Sequence, residues 1–181
     1  MNTIVLTGGT SKRFGADKSK AEINSKTLLE ILTTDLTDLI IVGPQTEINA
    51  KYVQESPLGA GPLAAIGAGL QYVESELVGI FATDMPFAPR VLPELQHALV
   101  NDAAITKDRA GYLQPLAALY RTSKLKQALS CFETLENISI KALIEKLNID
   151  IVEVKNNDLL LDIDTPADLL KAIDLASRLG L

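Results

Sequence analysis

Short apolar runs alternate with longer amphipathic segments along most of this chain. Thr3–Thr7 and Leu77–Ala82 are the clearest short runs, and turn residues follow each of them directly. After Pro62, which the first turn of a helix tolerates, apolar residues recur at helical spacing. Such alternation is typical of an α/β protein whose sheet is mostly parallel. We therefore predict a single three-layer α/β/α domain over residues 1–181, with ligands at the carboxyl ends of its strands.

Apolar periodicity and turn residues give each element an approximate position. Asp102–Gln114 is the least regular region, and we expect it to extend over the site. Cys131 is expected to be a half-buried helix residue. The predicted elements are strand Thr3–Thr7, helix Thr27–Thr34, strand Asp38–Val42, a helix from Pro62, strand Leu77–Ala82, helix Val91–Val100, strands Ala103–Thr106 and Leu116–Tyr120, helices Ser123–Leu135 and Ile140–Leu147, strand Ile149–Val154, and helix Pro166–Leu179 capped by Thr165.

The composition excludes several classes of protein and site. A formal net charge of −6 opposes general nucleic-acid binding, and the absence of Trp among few aromatic residues opposes a base-stacking platform. Cys131 is the only cysteine and His97 the only histidine, which excludes internal disulfides, thiolate zinc clusters and Ser-His catalysis. We find neither a basic leader nor the roughly 18 consecutive apolar residues of a membrane span. We expect a cytoplasmic protein without nucleic-acid or membrane partners.

The segment Leu6–Lys18, LTGGTSKRFGADK, is the strongest candidate for ligand binding. Its glycine pair lets the backbone turn sharply and bring N–H groups close to an anion. Lys12, Arg13 and Lys18 concentrate positive charge in an otherwise acidic chain, and Ser11 adds a hydroxyl donor. These properties predict a phosphate-binding loop. From the residues alone, a solvated turn with ordinary surface charges is the alternative.

The spacing of this loop differs from the two better-known phosphate loops. A Walker A loop has four residues between its first glycine and Gly-Lys-Ser/Thr, whereas five residues separate Gly9 from Gly15. A loose dinucleotide pattern begins at Gly59, but no clear buried strand precedes it, and Pro62 lacks the N–H that a pyrophosphate would bind. The segment therefore indicates a phosphate loop of another kind.

Carboxylates follow two other parts of the predicted sheet. Asp84 comes just after the strand Leu77–Ala82, and Asp162 and Asp164 share one face of an extended segment. Singly, Asp84 could be a turn or cap residue and Asp164 could cap the following helix. Facing a cationic phosphate loop, these carboxylates would suit Mg²⁺, which takes few protein oxygens and fills its shell with phosphate and water. The residues leave open whether Asp162 or Asp164 would touch the metal.

LTGGTSKRFGADK resembles the L-x-G-G-x-S-x-R-M-G-x-D-K signature of the MobA family, the molybdenum cofactor guanylyltransferases. Phe14 replaces the usual Met. Similar blocks follow in the family's order and span nearly the whole chain. The matching signature positions are Gly8, Gly9, Ser11, Arg13, Gly15, Asp17 and Lys18, and the further blocks are Gly61–Ala64, Asp84–Phe87, Gln114–Leu116 and Asp162–Pro166.

The resemblance implies a Rossmann-like nucleotidyltransferase fold and a Mg²⁺-dependent transfer of GMP from GTP to molybdopterin, with release of pyrophosphate. An ionised phosphate attacks in such a reaction, so the chemistry requires no strong base. The implied roles are charge neutralisation in catalysis by Arg13 and Lys18; nucleotide binding by Leu6, Thr7, Gly8, Gly9, Ser11, Arg13, Lys18, Gly61, Pro62, Leu63 and Asp84; metal binding by Asp84 and Asp164; and acceptor binding by Gln114, Asp162 and Asp164.

The resemblance favours GTP over CTP as the nucleotide. Related cytidylyltransferases usually carry Ala-Ala-Gly in place of Thr7–Gly9 and lack the Gly-Pro-Leu block at Gly61–Leu63. Guanylyltransferases often have an acidic residue shortly before Gly-Pro-Leu, but the nearest acid here is Glu55. Either Glu55 or backbone carbonyls would then read the base, or the specificity differs.

Several other interpretations remain at this stage. A molybdopterin cytidylyltransferase, a nucleotidyltransferase with another phosphate acceptor and a non-catalytic nucleotide-binding protein are the alternative functions. Arg121 and Lys124 could meet the acceptor phosphate, although a solvated helix start explains them too. Because the cofactor is labile, we expect transient contact with proteins that deliver molybdopterin or receive the product.

Overall fold

The computed structural model of the chain describes residues 1–8 and 21–181. Within this part, strands and helices alternate as the sequence predicts. The elements are β1 Asn2–Leu6, β2 Glu22–Ile23, β3 Lys26–Thr27, α1 Leu28–Thr33, β4 Leu39–Val42, β5 Lys51–Val53, α2 Pro62–Leu70, β6 Leu77–Ala82, the 3-10 helix Ala88–Val91, α3 Leu92–Ala98, β7 Ala103–Lys107, β8 Leu113–Arg121, α4 Thr122–Leu129, α5 Ile140–Ile144, β9 Ile149–Glu153, the 3-10 helix Asn157–Leu160 and α6 Pro166–Leu179.

The main sheet has seven strands in the order β5-β4-β1-β6-β8-β7-β9. The neighbouring pairs β5–β4, β4–β1, β1–β6 and β7–β9 are parallel. Only β8 runs against its neighbours, pairing antiparallel with both β6 and β7. The predicted mostly parallel sheet is confirmed. β2 and β3 form a separate antiparallel pair.

Two hydrophobic clusters cover the opposite faces of the sheet. Consecutive strand residues point to opposite faces, so Val5 and Phe81 belong to one cluster, and Ile4 and Ile80 to the other. Helices α1, α3 and α6 supply apolar residues to the first cluster, and α2, α4 and α5 to the second. The predicted three-layer α/β/α architecture is therefore confirmed. None of the helices in the described part is long and apolar enough to cross a membrane.

Several local features differ from the sequence predictions. Asp102–Gln114 is not irregular, because β7, a short turn and the start of β8 form a hairpin there. The edge strand β5 was not predicted, since three residues carry too little periodicity to be recognised. Helix α4 ends at Leu129 instead of Leu135, and Cys131 is exposed beyond it. Leu135 still packs against the core as a loop residue, so its apolar character did not indicate a helix.

Close packing at the carboxyl ends of the central strands depends on Gly43. The N–H and Oγ1 of Thr7 both donate to the carbonyl of Val42, at 3.1 and 3.0 Å. Gly43 follows with a φ of +149°, and an added Cβ would lie 1.8 Å from Thr7 Oγ1. A side chain at position 43 would therefore disturb the residue that leads from β1 into the predicted phosphate loop.

Helix α6 begins at a complete capping box. The Thr165 hydroxyl accepts a hydrogen bond from the Asp168 N–H at 3.3 Å, and the Asp168 carboxylate accepts from the Thr165 N–H at 3.1 Å. Asp168 also accepts from the Thr165 hydroxyl and from Lys171. The hydrogen bond from the Thr165 side chain contributes most to lowering the pKa of Asp168 from its ordinary value of 3.8. This cap fixes the start of α6 directly after Asp164.

The first prediction concerns Gly43→Ala. We expect this substitution to lower the free energy of unfolding by about 2 kcal/mol, because it combines a steric clash with an unfavourable φ. Urea unfolding measures the change. Gly8→Ala is the control, since among residues 1–8 and 21–181 no atom lies within 4 Å of an added Cβ there. Equal stability of Gly43→Ala and Gly8→Ala would contradict the proposed close packing.

The second prediction concerns the pH dependence of stability at the α6 cap. Since the folded state lowers the pKa of Asp168, its ionised carboxylate stabilises the fold above pH 3.8. That contribution is lost as the pH falls through the folded-state pKa. Unfolding measured across this acid range is expected to vary less with pH in Asp168→Asn than in the parent. Glu133→Gln, at an exposed position, is the control. Identical pH profiles for the parent and Asp168→Asn would contradict the prediction.

Candidate active site at the carboxyl edge of the sheet

β1 carries the start of the predicted phosphate loop to the carboxyl edge of the sheet. Leu6 is buried, Thr7 is half-buried and Gly8 is exposed. The carbonyl of Leu6 accepts from the N–H and the hydroxyl of Thr83, which follows β6, at 3.0 and 2.8 Å. The ends of β1 and β6 are thereby held together. The remaining residues predicted for this loop, Gly9, Ser11, Arg13 and Lys18, lie outside the described residues.

The two carboxylate segments meet at this same edge. The N–H of Ile163 donates to the carbonyl of Asp84 at 2.9 Å, which joins the segment before α6 to the end of β6. Ile163 is fully buried, whereas Asp162 is exposed and Asp164 half-buried, so the two acids lie on the face opposite the core. Sequence reasoning predicted that Asp84, Asp162 and Asp164 belong to one site, and this backbone contact brings their segments together.

The carboxylates at this edge fit a cation that takes few protein ligands. Among residues 1–8 and 21–181, no group of three or more Asp, Glu, His or Cys side chains is arranged to hold a metal ion. Mg²⁺ is commonly held by one or two carboxylates, together with water and substrate phosphates. Asp84 and Asp164 would offer Mg²⁺ oxygen ligands of that kind, whereas zinc sites typically use nitrogen and sulfur ligands.

The Gly-Pro-Leu block forms the start of helix α2. Gly61 precedes the helix with a φ of +97°, and Pro62 occupies its first turn. The adjacent Ala60 carbonyl accepts from the N–H of Asn137 at 2.7 Å, which holds this turn in position. Leu63 is fully buried, so its side chain belongs to the core. Any contact of Leu63 with a nucleotide would therefore use its backbone.

Glu55 closes the turn that leads to this block. Its Oε1 accepts a hydrogen bond from the N–H of Gly59 at 3.0 Å. The side chain is half-buried, and Leu58 between the two is exposed. At least one carboxylate oxygen of Glu55 therefore stabilises the loop before Gly61, which sequence reasoning did not anticipate.

A cavity of about 780 Å³ contains two of the residues predicted to bind the acceptor. It lies between the β7–β8 hairpin, the 3-10 helix Asn157–Leu160 and helix α6, and both Gln114 and Asp162 line it. Asp164 is not among its lining residues. The structure thus brings Gln114 and Asp162 to one cavity and leaves Asp164 beside it.

The position of Gln114 follows from the proline after it. The register of β7 with β8 shifts between Ile105 and Thr106, which pair with Ala118 and Gln114 respectively. Pro115 lies inside this bulge, where a strand tolerates a residue without an N–H. Its carbonyl accepts from the buried Tyr120 hydroxyl at 2.8 Å. The Gln-Pro-Leu block therefore fixes a strand irregularity next to the cavity.

Arg121 and Lys124 lie away from the site. Because β8 is antiparallel to β6, Phe81 pairs with Ala117 and Leu77 pairs with Arg121. Gln114 thus lies toward the end of β6 that Asp84 follows, and Arg121 lies at the opposite end. Arg121 donates to the carbonyl of Asn101 at 2.8 Å, and Lys124 is 3.9 Å from Asp102. The suggestion that these cations meet the acceptor phosphate is therefore wrong. The sequence did not predict the direction of β8, and that direction places Arg121 at the opposite end.

Charged residues around the cavity were missed by sequence reasoning. Asp158 forms ion pairs with Arg109 at 2.9 Å and with Arg178 at 3.5 Å, which links the hairpin to α6. Asn157 joins the 3-10 helix Asn157–Leu160 to the hairpin, accepting from the N–H of Arg109 and donating to the carbonyl of Lys107. These residues are far apart in the sequence and share no motif, so only their positions in the fold reveal the group.

Comparison with known proteins identifies the sequences that this chain resembles. The sequence profile of a family described as MobA-like NTP transferase domain matches residues 3–151. A protein of Peptoclostridium acidaminophilum named a probable molybdenum cofactor guanylyltransferase is 33% identical over 164 residues, which cover 81% of this chain and 73% of that protein.

Solved structures show a corresponding fold. Molybdopterin-guanine dinucleotide biosynthesis protein A from Archaeoglobus fulgidus has a TM-score of 0.78 and 27% identity, covering 98% of this chain and 100% of that one. The 2-C-methyl-D-erythritol 4-phosphate cytidylyltransferase from Thermus thermophilus has a TM-score of 0.66 and 18% identity, covering 97% and 98%. The second likeness concerns the fold alone. The ordered blocks, the profile match and the fold agree, and this chain belongs to the family of MobA-like NTP transferase domains.

Proposed function

We propose that this chain is a molybdenum cofactor guanylyltransferase, which transfers GMP from GTP to molybdopterin and releases pyrophosphate. The observation that supports it most is the meeting of Asp84 and the Asp162–Asp164 segment through the 2.9 Å hydrogen bond from the Ile163 N–H. This contact lies beside the end of β1, from which the phosphate-loop signature continues. The names of the relatives supply the guanine nucleotide and the pterin acceptor.

The proposed reaction is an in-line displacement at the α-phosphorus of GTP. An oxygen of the terminal phosphate of molybdopterin forms the new bond, the bond from the α-phosphorus to the bridging oxygen breaks, and pyrophosphate leaves. Arg13 and Lys18 would neutralise the charge that develops on the phosphates. A bound Mg²⁺, held by Asp84 and Asp164, would add charge neutralisation and orient the phosphates.

The nucleotide would bind between the ends of β1 and β4 and the start of α2. Leu6, Thr7 and Gly8 bring backbone groups to this edge, and the exposed position of Gly8 leaves room for close approach. The first N–H groups of α2, after Gly61, are suited to anionic or carbonyl groups because a helix N-terminus is electropositive. The acceptor would approach from the other side, where Gln114 and Asp162 line the 780 Å³ cavity.

The third prediction tests the catalytic roles of Lys18 and Asp84. With GTP, molybdopterin and Mg²⁺, both Lys18→Ala and Asp84→Asn are expected to lower kcat for pyrophosphate release about a hundredfold or more, since each removes charge stabilisation from the transition state. Circular dichroism would establish that the variants are folded. Lys155→Ala and Asp35→Asn, at exposed positions, are the matched controls.

Unchanged release by Lys18→Ala would show that the loop does not have the proposed role. Failure of the parent to transfer GMP would overturn the proposed function and favour a non-catalytic nucleotide-binding protein.

The fourth prediction concerns how the base is read. Titration calorimetry with GTP, CTP and ATP in the presence of Mg²⁺ is expected to give the tightest binding with GTP. Because Glu55 accepts from the Gly59 N–H, we expect backbone carbonyls to read guanine while Glu55 holds the loop. Glu55→Gln retains an oxygen that can accept this bond and should retain the preference for GTP. A preference of the parent for CTP or ATP would overturn the guanine assignment, and loss of the GTP preference in Glu55→Gln would assign base reading to the Glu55 carboxylate.

A further inference from the structure

We infer that Asp108 is a positioning residue, which orients the Gln114 amide so that its carbonyl oxygen faces the acceptor cavity. The oxygen would then select a nitrogen heterocycle that carries an N–H or amino donor at this point. This inference rests on the proposed function in one respect, namely that the cavity lined by Gln114 and Asp162 takes the acceptor. Beyond the proposed function, it states that Gln114 accepts a hydrogen bond from the acceptor and that Asp108 fixes this orientation of the amide.

Asp108 is the first residue of the turn between β7 and β8. Its N–H donates to the carbonyl of Tyr112 at 2.9 Å, and its carbonyl accepts from the N–H of Gly111 at 3.0 Å. Its carboxylate accepts two further hydrogen bonds, at Oδ1 from the N–H of Tyr112 and at Oδ2 from Nε2 of Gln114, both at 2.8 Å. The backbone bonds hold the Asp108 side chain in place, and that side chain then holds the amide.

The chemistry of the pair determines which end of the amide faces Asp108. A carboxylate oxygen accepts hydrogen bonds and cannot donate them, so Gln114 must turn its NH₂ group toward Asp108. The carbonyl oxygen Oε1, the other terminal atom of the amide, is then not engaged by Asp108. Within the described part of the chain, Oε1 has no hydrogen-bond partner, and no side-chain N or O atom is both buried and unpaired. Oε1 is therefore accessible, and Gln114 lines the cavity.

Other polar groups around the cavity are already engaged. Both ends of the Asn157 amide are used, the oxygen by the Arg109 N–H and the nitrogen by the Lys107 carbonyl. The guanidinium groups of Arg109 and Arg178 pair with Asp158. Oε1 of Gln114 is a neutral acceptor that these contacts leave available to a ligand.

The size and lining of the cavity are suited to a small-molecule ligand. Its 780 Å³ lies within the roughly 300–1,000 Å³ typical of small-molecule sites. Leu160, Leu161 and Leu175 supply apolar lining, and a few polar groups fix orientation in such sites. A carbonyl oxygen at a fixed position would discriminate against a ligand that presents an acceptor there, because two acceptors facing each other leave both unpaired.

The fifth prediction exchanges the two side-chain groups. In Asp108→Asn, the new amide can keep its oxygen on the Tyr112 N–H, but its nitrogen then faces Gln114. Gln114 must turn its own oxygen toward that nitrogen and present NH₂ to the cavity. In Gln114→Glu, two carboxylates face each other and repel. Each single variant is expected to raise KM for molybdopterin about tenfold or more, the size of effect that follows from one mispaired hydrogen bond.

The double variant Asp108→Asn/Gln114→Glu restores the arrangement with the donor and acceptor exchanged. The new amide at position 108 donates to one carboxylate oxygen at position 114, and the other oxygen faces the cavity as Oε1 did. The net charge of the pair is unchanged. We expect KM for molybdopterin to return to within about threefold of the parent value, while KM for GTP stays unchanged in all three variants.

Asp102→Asn is a matched control at the opposite edge of the sheet. There the carboxylate also accepts from a backbone N–H and a side-chain amide, but both belong to Asn148 and bond to the same oxygen, at 2.9 and 3.1 Å. This variant should leave KM for molybdopterin unchanged. Thermal unfolding of every variant separates positioning from a loss of structure, since a purely structural role would change KM for GTP as well.

The outcomes distinguish this inference from the proposed function. If the parent transfers GMP and the single variants weaken acceptor binding, failure of the double variant to recover would overturn the role of Asp108. Unchanged KM for molybdopterin in Asp108→Asn, Gln114→Glu and Gln114→Ala would overturn it as well, because Gln114 would then not contact the acceptor. If the parent transfers no GMP to molybdopterin, the proposed function is wrong, and the role of Asp108 in acceptor binding is overturned with it.

Discussion

The parallel pairing of β1 with both β4 and β6 is the constraint on which the site depends. Leu6 pairs with Val42 on one side and with Ala82 on the other, so three strands end at nearly the same level. Parallel strands present their carboxyl ends along one edge, and the residues after them are free to diverge from the sheet. After these strands, Gly43 packs against Thr7, and Thr83 donates to the carbonyl of Leu6, the last residue of β1. The sheet topology alone therefore makes this edge the expected place for a ligand, before any particular side chain is considered.

The segment before α6 completes this edge from the far end of the chain. Ile163 is buried and donates its N–H to the Asp84 carbonyl, which turns Asp162 and Asp164 away from the core. The capping box of Thr165 and Asp168 fixes where the helix begins, directly after these acids. A buried apolar side chain and a helix cap therefore position the two acids on either side of Ile163. The fold positions these carboxylates through backbone contacts and burial.

Sequence reasoning predicted the elements with strong periodicity or clear end signals. The strand Leu77–Ala82 and the helix Pro166–Leu179 were predicted with their observed bounds. It missed β5, because a strand of three residues shows too little periodicity. It placed the end of α4 too late, because the apolar residues after Leu129 pack against the core as a loop. The family was predicted from motif order and is confirmed. The individual roles of the loop residues from Gly9 to Lys18 stay predictions.

The sequence by itself determined the α/β class, the family and the residue types of the candidate site, because apolar periodicity and ordered motifs are local properties of the chain. Only the tertiary structure decided the direction of β8, which brings Gln114 to the cavity and carries Arg121 to the opposite edge. It also decided the pairing of Asp108 with Gln114 and of Asp158 with two arginines. Hydrogen-bond partners and cavities depend on which distant segments the sheet order makes neighbours, and periodicity carries no information about that order.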